Sequence, residues 1–161
     1  MLTTAAVQAQ QTPALPGGAS SQQEIYQDWR VACQVVTNVK SCVLTQQQYQ
    51  QDGRRVLAIE LAAPGGDTVA GTLVLPLGLA LDAGVILQID EKPAMPPMRL
   101  RTCVPAGCLV DVGFDAPTLA ALRGGVALKV KATADGGAAM SLSVSLRDFG
   151  AAFDRVAALA R

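Results

Sequence analysis

From Trp29 the chain alternates, with Trp29, Val31, Cys33 and Val35 interleaved with Arg30, Ala32 and Gln34. That period of two is the signature of a half-buried strand with one wet face. Asn38 falls where a turn is needed. A second run over residues 42–50 carries Val43, Leu44 and Tyr49 among several glutamines, and Asp52-Gly53 is a strong hairpin signal before a returning strand at 55–62. Pro64-Gly65-Gly66-Asp67 breaks the chain again. The uncharged stretch 68–81 is interrupted by Gly71, Pro76 and Gly78 and bounded by Asp67 and Asp82, which leaves it short of the roughly 20 apolar residues of a transmembrane segment. It reads as two buried strands about a Pro76-Leu77-Gly78 bend. A strand at 85–89 and an irregular, proline-rich loop at 92–97 follow.

Further on, residues 100–103 and 108–112 read as strands about a tight Val104-Pro105-Ala106-Gly107 turn. Residues 115–124 have the marks of a short helix: Asp115 to cap it, Pro117 in the first turn where a missing donor is harmless, and Gly124 to end it in the left-handed conformation. Strands at 126–132 and 140–146 flank an Asp135-Gly136-Gly137 turn. Phe149, Phe153, Val156 and Ala160 recur at the spacing of one helical face. The pattern predicts a mainly β fold, an antiparallel β-sandwich of nine or ten strands, with one short inserted helix and a C-terminal helix.

Residues 1–24 differ in kind. Residues 8–24 are rich in Gln, Ser, Pro and Gly with no apolar period, so the expectation is a flexible leader over 1–24 and a single β domain over 25–161. Val7-Gln8-Ala9 before Gln10 has the small-residue pattern of a secretory cleavage site, so residues 1–9 read as the stub of an export signal.

Composition removes several functions. Thirteen basic and thirteen acidic residues cancel without any run of like charge, which argues against nucleic acid or anionic lipid as a partner. The chain has no histidine, the commonest general base and metal ligand. Aromatic residues make up 4% of a half-apolar chain, so the core must be aliphatic and no aromatic ligand platform is indicated. Trp29, the lone tryptophan, reads as a core anchor.

The four cysteines carry the most chemistry. Each of the pairs Cys33/Cys42 and Cys103/Cys108 brackets a predicted turn, and opposed residues of a hairpin lie within reach of a disulfide, so two local bridges are expected. The rival is a four-thiolate zinc site, for which only the second pair has customary spacing. No Cys-x-x-Cys redox motif, nucleophile elbow or phosphate loop occurs. Asp90, Glu91, Asp111 and Asp115 are the only carboxylates that suggest pairing for hydrolysis, each with a bland reading as strand end, wet face or helix cap. Ser141, Ser143 and Ser145 alternate as on a solvent-facing edge, and the run 77–87 offers either an apolar patch or buried strands.

Taken in order, Asp28-Trp29 with Cys33 and Cys42, Leu75-Pro76-Leu77-Gly78, Ala83-Gly84-Val85 before Gln88-Ile89-Asp90, Cys103-Val104-Pro105-Ala106-Gly107-Cys108-Leu109 and Ser145-Leu146-Arg147-Asp148-Phe149 resemble the invasion-associated locus B family of small exported bacterial proteins. The last segment departs from the glycine-phenylalanine pair expected there. The resemblance runs from about Asp28 to Leu159. It implies a periplasmic, outer-surface or secreted β-sandwich with two disulfides, associated in pathogens with invasion of host cells, and it implies no catalytic residues. The reading is therefore a non-catalytic binding module without metal or cofactor, whose partner is an unidentified protein or envelope component or a second copy meeting it at a sandwich edge. The alternative is a histidine-free periplasmic hydrolase using paired carboxylates.

Overall fold

A computed structural model describes residues 13–65 and 67–161. Ten strands are present: β1 (Ser21–Tyr26), β2 (Trp29–Val36), β3 (Val39–Tyr49), β4 (Arg55–Ala62), β5 (Val69–Leu75), β6 (Ile86–Ile89), β7 (Thr102–Val104), β8 (Gly107–Phe114), β9 (Ala127–Thr133) and β10 (Ala139–Ser145). Two α-helices, α1 (Ala116–Gly124) and α2 (Phe149–Ala160), and a 3-10 turn at Pro16–Gly18 complete the described residues. The strands form a seven-stranded sheet in the order β1-β2-β3-β4-β5-β8-β7 and a three-stranded sheet in the order β10-β9-β6, all pairs antiparallel. The inward residues of both sheets and both helices join one apolar cluster, mostly leucine and valine. No helix among the described residues is long and apolar enough to cross a membrane.

Local chemistry explains most boundaries. Thr37 and Asn38 both hold positive φ in the two-residue loop between β2 and β3, the geometry that matches the twist of the flanking strands. Asp115 caps α1 by accepting from the Thr118 backbone N–H at 2.9 Å. The helix does not end in a left-handed Gly124, however. Gly125 follows in an extended conformation, and a Cβ there would stand 2.8 Å from Leu146 Cδ1 and 3.0 Å from Ile89 Cγ2, so any larger residue would push these side chains aside.

Three further expectations are corrected. The folded chain begins before residue 25: Leu15 is buried in the core, and β1 pairs along its full length with β2. Its polar sequence conceals it because an edge strand held by backbone pairing needs little apolar alternation. The export-signal stub at residues 1–9 lies outside the described residues. The stretch 68–81 makes one strand, β5, after which Pro76 ends the ladder and only a single bridge, Leu79 to Ala134, remains. On α2 the buried residue of the last turn is Leu159, and Ala160 is exposed.

The two sheets are fastened by a polar clasp beneath α2, which packs on β2 and β3. Gln46, the buried polar side chain of the core, accepts from the Ser145 N–H and donates to the Ser145 carbonyl, both at 2.9 Å. It thereby takes the place of a neighbouring strand on the edge of β10. Trp29 Nε1 donates to the same carbonyl at 2.9 Å, and Gln48 Nε2 donates to the Ser143 carbonyl. Trp29 meets Phe149 edge to face with centroids 5.3 Å apart, which locks α2 onto the clasp.

Candidate functional site

The cysteines occupy two ends of the large sheet. Cys33 and Cys42 are directly opposed on β2 and β3, their Sγ atoms 2.05 Å apart and both side chains buried. Cys103 and Cys108 are opposed on β7 and β8 with Sγ atoms 2.00 Å apart, Cys108 buried and Cys103 exposed. Both pairs are thus at disulfide distance in the local pairing. Because β4 and β5 lie between them in the sheet order, the four sulfurs do not converge as a zinc site would require. At the second hairpin Gly107 is obligatory: its φ is +141°, and a Cβ would stand 2.4 Å from the Leu75 carbonyl oxygen.

Each sequence-predicted carboxylate has a partner of its own. Asp90, at the end of β6 with positive φ, accepts from the Ala127 N–H at 2.9 Å and the Val126 N–H at 3.1 Å, and these donors hold its carboxyl below the ordinary value. Glu91 pairs with Lys129. Asp111, on the wet face of β8, lies 3.5 Å from Arg101. Asp115 is the helix cap, held below its usual range by hydrogen bonds from Thr118. Ser141 and Ser143 are exposed on β10, whereas Ser145 gives its backbone to the clasp. In the run 77–87, Leu79, Val85 and Leu87 are buried while Leu77 and Leu81 are exposed.

Besides the Gln46 clasp, two features escaped the sequence reading. Glu24 of β1 binds Arg155 of α2, whose Nη2 lies 2.7 Å and whose Nε lies 2.9 Å from its carboxylate oxygens, and Tyr26 donates to Glu24 at 2.8 Å. The Arg155 guanidinium lowers the Glu24 pKa from 4.5 to about 2. The second feature is a cleft of about 520 Å³ between the end of β4, the chain leaving β5 and the turn joining β7 to β8, flanked by Arg54 and Arg55. None of Asp90, Glu91, Asp111 and Asp115 lines it. A hint was present in the consecutive arginines after the Asp52-Gly53 turn.

Fold and cysteine pairs together define a mainly β protein of two antiparallel sheets, the larger one carrying a cross-strand cysteine pair toward each end. The family profile described as invasion associated locus B (IalB) protein matches residues 29–157, and the chain belongs to that family. It is 45% identical over 149 residues to an Invasion protein B homolog of Brucella abortus (strain 2308), covering 91% of this chain and 86% of the relative. To the Invasion protein B of Bartonella bacilliformis it is 35% identical over 119 residues, 74% of this chain and 64% of that protein. The crystal structure of invasion associated protein b from Bartonella henselae superposes with a TM-score of 0.81 at 35% identity, covering 86% of this chain and 96% of that one.

Proposed function

We propose that this chain is an exported protein of the bacterial cell envelope, periplasmic or displayed beyond it, that works as a non-catalytic binding module in host-cell invasion. The observation that carries the reading is the two opposed cysteine pairs at disulfide distance, within a family named for invasion. Such pairs persist in oxidising compartments and are rare in a reducing cytosol. The binding role draws support from the engagement of the candidate carboxylates in caps and ion pairs. The test is a deletion strain scored for internalised bacteria. Deletion lowers the count, and a copy carrying Glu91→Gln and Asp111→Asn restores it in full, since neither carboxylate performs chemistry. Unchanged invasion on deletion contradicts the invasion role; failure of a folded, exported double variant to restore it contradicts the non-catalytic one.

A further inference from the structure

The cleft beside Arg54 and Arg55 arises where two strands part company. β4 and β5 remain in register from Ala62 opposite Ala70 to Ala58 opposite Val74. Beyond that pair Pro76 has no N–H to continue the ladder, and residues 55–57 face residues 75–77 across a gap. The Pro105-Ala106-Gly107 turn closes a third side, and Met140 reaches in from the smaller sheet. Leu57 and Leu75 are fully buried, whereas Leu77 at the same cleft is 56% exposed, a large apolar side chain the core leaves unused.

The cleft mixes polar and apolar surface; its polar side chains are Gln50, Arg54 and Arg55, and no carboxylate lines it. Arg54 Nη2 donates to Gln50 Oε1 at 2.8 Å and Arg55 Nη2 donates to the Ala106 carbonyl at 3.2 Å, so both guanidinium groups rest on neutral acceptors. Among the described residues neither forms an ion pair. Asp52 accepts from the Arg54 backbone N–H at 2.9 Å and leaves both guanidinium groups free of an ion pair. Two such cations beside the part-exposed Val56, Val74, Leu77 and Met140 match a ligand that is apolar along its length and anionic at one end, and the guanidinium fork suits a carboxylate. The volume falls within the about 300–1,000 Å³ of small-molecule sites.

The geometry points to a binding site for a single-chain anionic amphiphile, a fatty-acid carboxylate, with its head at Arg54 and Arg55 and its tail along Val56, Val74, Leu77 and Met140. Isothermal titration of the oxidised protein with decanoate, with decanol as the neutral counterpart, tests it. Saturable one-to-one binding of decanoate is expected, weakened about ten-fold by Arg54→Gln and further by Arg54→Gln with Arg55→Gln, while decanol binds at least about ten-fold more weakly and ignores both substitutions. Arg54→Gln leaves the Arg55 bond to Ala106 in place, so its effect does not arise from a loosened turn. Leu77→Glu, at an exposed position that tolerates charge, removes binding of both compounds. Absence of saturable decanoate binding, equal affinity for decanol, indifference to Arg54→Gln, or tighter binding of a short peptide with a free C-terminal carboxylate overturns the proposal. The invasion reading is untouched by any of these outcomes, which concern the purified chain alone.

Discussion

The two cysteine pairs share one cross-strand geometry in opposite surroundings. At one end of the large sheet, Cys33 and Cys42 lie buried on β2 and β3, the strands on which α2 packs and which also carry Trp29 and Gln46. At the other, Cys103 sits exposed on β7, a three-residue edge strand that pairs only with β8. Sequence separations of nine and five residues give nearly equal loop-closure terms, so any large difference in what the pairs stabilise must come from packing. The covered end is built for stability. The open end leaves Cys103 to solvent, and its turn adjoins the arginine-flanked cleft.

That contrast is broken most severely at Trp29. Trp29→Ala removes a fully buried ring, its contact with Phe149 and a hydrogen bond to Ser145, and is expected to cost about 3–5 kcal/mol in urea unfolding. The cysteine pairs sharpen the comparison directly. Cys33→Ala with Cys42→Ala should lower global stability by about 3 kcal/mol, whereas Cys103→Ala with Cys108→Ala should cost about 2 kcal/mol or less and show chiefly as faster amide exchange at residues 102–104. Next comes Gln46→Ala, which leaves the Ser145 N–H without its partner in the clasp and is expected to cost about 2 kcal/mol.

The smallest effect is pH-dependent and belongs to the covered end. Because the folded-state pKa of Glu24 is depressed from 4.5 to about 2, its pairing with Arg155 contributes fully above the unfolded value and is lost as pH falls through the folded one. The Tm difference between the native chain and Glu24→Gln should therefore be constant above about pH 5 and close toward zero near pH 2. A difference that persisted unchanged at pH 2 would mean that Glu24 acts by packing rather than by charge.

Much of the covered end was legible in the sequence. The alternation of Trp29, Val31 and Cys33 marks β2 because each buried side chain is apolar, and 55–62 is recognised as β4 for the same reason. Asp115 announces α1 because a capping carboxylate has few other uses in that position. What escaped was whatever depends on distant partners. β1 reads as leader because its stabilisation comes from backbone pairing and Arg155, which lies 131 residues from Glu24. Gln46 resembles its solvent-facing neighbours, and only the unpaired edge of β10 makes it a core residue. The cleft is invisible for a related reason: it joins residues 50–57, 74–77, 105–107 and Met140, segments that only the sheet order brings together.

Acid quenching of intact cells, then thiol alkylation in denaturant with intact mass and peptide mapping, decides whether an exported chain closes each hairpin with a local disulfide, because denaturant exposes the buried Cys33, Cys42 and Cys108. No labelled cysteine is expected before reduction and four after it, with linked peptides joining Cys33 to Cys42 and Cys103 to Cys108. Four alkylated thiols before reduction would overturn both bridges and the oxidising compartment with them.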